Sequence, residues 1–283
     1  MIDTVVIPAA GLGSRLFTIT KELPKEMMPI FYKDKKGTVL VKPLLEIIFE
    51  NLFDSGFRNF CIIVSRGKEE IENHLNPHYD FIDLLKKREE YEHANIFLRL
   101  YKKIEKSSIF WIRQYEQKGI GPATLLAKQV IGDRAFLFHA GDLYIPKPNH
   151  IDKQLEIHRK MKPSATIGIK EVHNPQQYGV ATLRQNKSGV DEVVRVVEKP
   201  KNPPTKFALT GVNVFEPEIF DAIKKTKKSV NNEVQLTDSI QTLISTKHAV
   251  LASKMNSKDI CIDVGTPKNY FAALNYSYNH IMP

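Results

Sequence analysis

Several residues in this chain are of the types and spacing that handle phosphate. In Ala9-Ala10-Gly11-Leu12-Gly13-Ser14-Arg15 the glycines let the backbone approach a ligand and aim N–H groups at phosphate oxygens. A tight turn at a strand exit would use the same glycines. Arg15 follows them, and Lys25 lies in Leu23-Pro24-Lys25-Glu26-Met27-Met28-Pro29. A forked guanidinium and a point-charge ammonium beside exposed backbone donors suit a triphosphate. Asp142 ends the apolar run Phe-Leu-Phe-His-Ala-Gly, and Asp263 follows Ile-Cys-Ile in the same way. Carboxylates at strand C-terminal edges stand where open α/β sheets bind ligands, although aspartate there also caps turns. Glu198-Lys199 precedes Pro200 at another strand end; the pair is a site element or a solvated ion pair. His139 precedes Asp142, but a single histidine without a partner reads as packing rather than as a ligand.

Two common phosphate loops are excluded. The dinucleotide fingerprint needs a third glycine where Leu16 stands, with a helix opening directly after it. Pro24 and Pro29 favour a long extended loop instead. The pattern G-x-x-x-x-G-K-[ST] is absent.

Short apolar runs alternating with helical patterns must carry these residues. Residues 2–9, 60–65, 109–113 and 136–140 read as strands. Residues 43–53, 68–75 and 121–130 read as helices, with a long charged helical region over 81–104 broken near Asn95. That alternation predicts an α/β fold, with a Rossmann-like mixed, mostly parallel central sheet flanked by helices. Past a helix at 151–161, closely spaced strands are expected at 165–172, 180–184, 190–197 and 207–215, with a hairpin turn at Asn186-Lys187-Ser188-Gly189. Helices over 235–245 and 267–278 close the chain. No flexible linker divides it, so one continuous sheet with a smaller second lobe is the expectation.

The composition is that of a globular protein, with 42% hydrophobic and 26% charged residues. The 41 Lys and Arg against 32 Asp and Glu give a net charge of +9. Such a surplus is compatible with nucleic acid, anionic membranes or small anionic substrates. No helix-turn-helix, zinc-finger or RNA-recognition signature occurs, so no specific nucleic acid is expected. Cys61 and Cys261 lie in apolar runs and read as buried reduced thiols. No apolar run approaches the roughly 20 residues of a membrane span, and the first residues lack a signal-peptide pattern. A cytoplasmic location without membrane contact is the reading.

Val6-Ile-Pro-Ala-Ala-Gly-Leu-Gly-Ser-Arg15 followed by Thr20-Lys-Glu-Leu-Pro-Lys-Glu-Met-Met-Pro-Ile30 resembles the N-terminal signature of sugar-1-phosphate nucleotidylyltransferases. Within them it is most similar to UTP–glucose-1-phosphate uridylyltransferases of bacterial and archaeal type. The resemblance continues in order through QYEQKGIG (114–121), HAGD (139–142), QYGV (177–180), VEKP (197–200), EVQLTD (233–238) and DVGTP (263–267). It implies a nucleotidyltransferase (GT-A-like) fold, with a nucleotide-binding lobe over about 1–145 and a sugar-phosphate-binding and assembly lobe over 146–283. It also implies uridylyl transfer from UTP to glucose 1-phosphate with release of pyrophosphate. Arg15 and Lys25 become catalytic, and Ala10, Gly11, Leu12, Gly13, Ser14, Glu26, Gln114 and Gly119 hold the nucleotide. Gly179, Glu198 and Lys199 hold the sugar phosphate, and Asp142 and Asp263 share Mg²⁺. A homodimer or homotetramer is expected from the same resemblance.

The sequence departs from bacterial relatives in the basic extension Tyr32 to Lys42 and in Phe17-Thr18. Thymine presents the same hydrogen-bonding edge as uracil, so glucose-1-phosphate thymidylyl transfer or broad specificity stays open, as does a non-catalytic nucleotide-sugar-binding regulator.

Overall fold

Val5 and Ile7 pack on one face of strand β1 (Thr4–Pro8) and Val6 on the other, and all three are fully buried. A strand covered on both sides reads as an unbroken apolar run. The computed structural model describes residues 2–34, 36–185 and 189–281. After β1 come strands β2 (Pro29–Lys33) and β3 (Val39–Pro43), helix α1 (Leu44–Asp54), strand β4 (Asn59–Val64) and helices α2 (Glu69–His74), α3 (Tyr79–Lys87) and α4 (Tyr91–Glu105). Strand β5 (Ser108–Arg113), helices α5 (Ile120–Leu126) and α6 (Lys128–Ile131), and strands β6 (Phe136–His139) and β7 (Leu143–Tyr144) complete the first half. The second half holds α7 (Asn149–Met161), β8 (Ala165–Glu171), β9 (Gly179–Arg184), β10 (Glu192–Glu198), β11 (Phe207–Phe215), α8 (Glu218–Lys225), α9 (Leu236–Ser245), β12 (Val250–Lys254), β13 (Ile262–Asp263) and α10 (Pro267–Ile281).

Nine strands form one sheet in the order β5-β4-β1-β6-β11-β8-β12-β10-β9. The four N-terminal strands run parallel, as does the β12–β8 pair; β11 lies antiparallel to both β6 and β8, and β10 to β12 and β9. The mostly parallel expectation therefore describes the first half, where helices return each strand to the same end. In the second half the β9–β10 hairpin reverses direction, and β10 and β11 run opposite to β8, β9 and β12. The apolar core splits across the sheet. Leu137, Ile62 and Phe49 lie on one side, and Phe136, Phe138 and Phe220 on the other, where Phe136 stacks on Phe220 at 5.3 Å.

Three expectations change. The break in the long helical region falls at residues 88–90, where Glu89 has φ of 62°, and Asn95 lies inside α4. Burial of Ala94, Leu100, Tyr101 and Ile104 along one face overrides the weak helix preference of asparagine. The basic extension at 32–42 belongs to the β2–β3 hairpin, and its Lys42 turns inward to Glu46 at 2.8 Å and to Glu50. Strand β12 has no counterpart in the sequence reading; its consecutive buried residues Val250 to Ser253 slot parallel to β8. The predicted turn at 186–189 falls mostly outside the described residues.

Candidate active site

Strands β1, β4, β5 and β6 all deliver their C-terminal ends to one edge, and the candidate residues collect there. The loop after β1 is anchored by Ala9 N–H donating to the Ile63 carbonyl (2.7 Å). The Ala10 carbonyl accepts from Ser65 Oγ (3.0 Å) and Gln117 Nε2 (3.3 Å). Gly13 and the exposed Leu12 then project outward, with Thr20 Oγ1 donating to the Gly13 carbonyl (2.9 Å). Three 3-10 turns follow, beginning at Ser14, Ile19 and Lys25, in place of a helix.

Lys25 and Asp142, 117 positions apart, meet at 2.5 Å with each side chain only 17% exposed. Burial alone would pull the Lys25 ammonium down, but the Asp142, Glu26 and Asp263 carboxylates together raise it. Burial acts to raise Asp142, and Lys25 overcomes it to hold the carboxyl below its ordinary value. Asp263 reaches the same place through the β7–β13 pairing, in which it lies opposite Leu143 and Val264 N–H donates to the Asp142 carbonyl (2.9 Å). Burial raises Asp263, the neighbouring Asp142 charge adds to the rise, and Arg15 stands 3.8 Å away.

Two carboxylates close enough to repel one another, each answered by a basic side chain, are a donor set that fits a hard divalent cation. Such an ion needs one or two carboxylates, with substrate phosphates and water completing its shell. Among the described residues no group of three or more His, Cys, Asp or Glu is arranged around a metal position.

The expected base-binding residues sit together at the end of β5. Gln114 is buried, its backbone N–H bonded to the Val64 carbonyl (2.7 Å) and its side-chain amide donating to the Gly119 carbonyl (3.4 Å). Gly119 has φ 103° and ψ 178°, a conformation nearly confined to glycine. A Cβ there would lie 2.9 Å from the Val234 carbonyl oxygen. The EVQLTD segment thus braces the loop between β5 and α5.

Glu26 differs from the other expected nucleotide contacts. It is wholly buried, its Oε2 accepts from Lys68 Nζ at 2.9 Å, and its Oε1 has no hydrogen-bond partner. Burial raises its pKa against the pull of Lys68 and Lys25. Lys68 escaped the sequence reading because a lone lysine at a helix start carries no signal until the fold sets it against Glu26.

Gly179 and Glu198 are register partners on β9 and β10. A Cβ at Gly179 would meet Thr237 Oγ1 at 2.6 Å and Glu198 Oε2 at 3.0 Å. Lys199, at φ of 41°, donates its N–H to the Tyr178 carbonyl (3.0 Å) and pairs with Glu198 at 3.3 Å. These residues line a chamber of about 290 Å³ that Asp142 and Asp263 also face. Thr237 and Lys170 line it too and were not singled out from sequence; the signal for Lys170 is a charge ending the buried run of β8. His139 is buried and bonds the Ala140 carbonyl (2.8 Å), in keeping with packing.

A model of the nucleotidyl transferase family matches residues 4–279. The chain belongs to that family. This nucleotidyl transferase is 33% identical over 248 residues to the UTP–glucose-1-phosphate uridylyltransferase of Staphylococcus epidermidis, covering 86% of this chain and 82% of that one. A Methanocaldococcus jannaschii protein provisionally given the same name is 32% identical over 263 residues, covering 91% and 87%. A crystal structure of UDP-glucose pyrophosphorylase complexed with UDP-glucose superposes with a TM-score of 0.82 at 28% identity, covering 99% of this chain and 100% of that one. Nucleotidyl transferases of this family generally use a divalent metal ion. Among the described residues no helix is long and apolar enough to cross a membrane.

Proposed function

We propose that this nucleotidyl transferase is a Mg²⁺-dependent UTP–glucose-1-phosphate uridylyltransferase that forms UDP-glucose and pyrophosphate. The observation that carries the reading is the meeting of Lys25, Arg15, Asp142 and Asp263 beside a chamber lined by Gly179, Glu198 and Lys199. The relatives named for this reaction match over most of their length.

A phosphate oxygen of glucose 1-phosphate attacks the α-phosphorus of UTP. One O–P bond forms while the bond to the β-phosphate bridging oxygen breaks, and pyrophosphate leaves. The nucleophile is already ionised near neutral pH, so positioning and charge neutralisation suffice. Asp142 and Asp263 would hold Mg²⁺, which supplies charge neutralisation on the transferred phosphate. Lys25 and Arg15 release their carboxylates to grip the triphosphate oxygens. Glu198 accepts hydrogen bonds from sugar hydroxyls, Lys199 holds the sugar phosphate, and Gly179 leaves room for the ring. Gln114 has the donor and acceptor needed at a uracil edge, beside Gly119, Glu26 and the Ala10-Gly11 backbone; Leu12, Gly13 and Ser14 face the phosphates.

We further infer a cytoplasmic homodimer or homotetramer, a state supported by exposed Phe271 and Tyr278 on α10. The function is tested by pyrophosphate release with glucose 1-phosphate against UTP, dTTP, ATP and GTP in the presence of Mg²⁺. Turnover highest with UTP is expected. No turnover with UTP would sink the reading, and preference for dTTP would replace it with thymidylyl transfer.

A further inference from the structure

Two cations line the inner chamber. Lys199 is matched to Glu198 at 3.3 Å. Lys170 has no carboxylate within ion-pair distance among the described residues. Its ammonium donates to the Asp259 backbone carbonyl at 2.5 Å, while the Asp259 carboxylate turns to the Asn256 N–H at 2.9 Å. Outside the chamber Lys25 is matched to Asp142, Arg15 to Asp263 and Lys68 to Glu26. Lys170 is thus the one cation of the inner chamber without a carboxylate partner among the described residues.

Its position separates it from the phosphate groups. Lys199 lines both the chamber and the outer mouth, where Arg15 and Lys268 stand, whereas Lys170 lines the chamber alone. Cys261 also lines the chamber. One neutral carbonyl uses one of the three ammonium protons and leaves the charge uncompensated. Holding such a charge partly out of water is unfavourable unless an anion completes it.

We infer that the chamber accepts a hexose 1-phosphate carrying a carboxylate at the end remote from the anomeric phosphate, a hexuronic acid 1-phosphate, with Lys170 as the residue that selects it. A sugar hydroxyl would satisfy a hydrogen bond but not the charge. A single ammonium matches a carboxylate monoanion better than a second phosphate dianion. The inference rests on the proposed reading, in which Glu198 and Lys199 hold a sugar 1-phosphate for uridylyl transfer.

The test compares kcat/KM for glucuronic acid 1-phosphate and glucose 1-phosphate, each with UTP and Mg²⁺, in the wild type and in Lys170→Met, Lys170→Gln and Lys170→Arg. Melting curves check that each variant is folded. The wild type is expected to turn over the hexuronate with kcat/KM at least equal to that for glucose 1-phosphate. In Lys170→Met and Lys170→Gln the ratio of hexuronate to glucose should fall about 10- to 100-fold, the worth of one charge-assisted hydrogen bond. Lys170→Arg should retain the preference. Turnover of glucose 1-phosphate without the hexuronate overturns the inference and leaves the reading standing; turnover of neither removes both. A Gln variant that keeps the wild-type ratio, or equal losses for both sugars, also overturns it.

Discussion

Replacing Lys25 with Met removes one partner of a pair whose side chains are each only 17% exposed. Breaking a buried pair on one side costs about 3–5 kcal/mol, because the remaining charge is uncompensated. The residual water access favours the lower end, about 3 kcal/mol. Asp263 removes any cushion, since its repulsion of Asp142 is then answered only by Arg15, 3.8 Å from Asp263. A second substitution, Asp142→Asn, takes away the orphaned charge and should return most of the lost stability. Activity should behave differently: Lys25→Met lowers the rate on the order of 10²–10³, the loss for one transition-state charge partner, and the double variant stays inactive. Urea denaturation followed by fluorescence of Trp111, the one tryptophan in the sequence, and pyrophosphate release give the two readouts. Added Mg²⁺ should raise the melting temperature of Lys25→Met more than that of the wild type. A Lys25→Met protein as stable as the wild type, or a double variant no more stable than the single, would refute the reasoning.

Gly179→Ala puts a methyl 2.6 Å from Thr237 Oγ1 and 3.0 Å from Glu198 Oε2; displacing that carboxylate should raise the KM for the sugar phosphate about tenfold, within the worth of a charged hydrogen bond, with KM for UTP little changed. Gly119→Ala forces a side chain into a conformation costing roughly 1–3 kcal/mol and against Val234, so KM for UTP should rise in steady-state assays while the sugar-phosphate KM moves less. Burial holds His139 and His150 down at about 4, against 6.5. The unfolded chain therefore takes up protons first. Stability is full above about pH 6.5 and falls as pH drops toward 4, by roughly 3 kcal/mol for each histidine. The His150 ring nitrogens have no hydrogen bond of ordinary geometry, only a weak approach to the Lys147 backbone. His150→Phe should accordingly flatten the profile in urea titrations between pH 7 and pH 5 and cost nothing at pH 7.

The parallel half of the fold was legible because strands buried on both faces carry apolar side chains in either register, as in Thr4–Pro8 and Asn59–Val64. Strand β12 was not, because Val-Leu-Ala-Ser-Lys is too short and mixed to be told from a helix end, and only pairing with β8 makes it a strand. Lys42 belongs to a basic extension in the sequence, yet the hairpin folds it onto Glu46 and Glu50. Charge runs mark solvent only when the backbone keeps them there.

Residue type and local position determined much of the candidate site. Glycines after β1, aspartates ending apolar runs and Glu198-Lys199 before a proline each imply a local geometry that the chain adopts by itself. What tertiary structure alone decided is which of them touch. The β7–β13 pairing sets Asp263 against Asp142, the long loop folds Lys25 onto the same carboxylate, and β10 sets Glu198 opposite Gly179. Lys68 and Lys170 gained meaning only from that assembly, one by closing on Glu26 and the other by lacking a carboxylate. Charge interactions depend on distance and burial, and neither is a property of a residue's place along the chain.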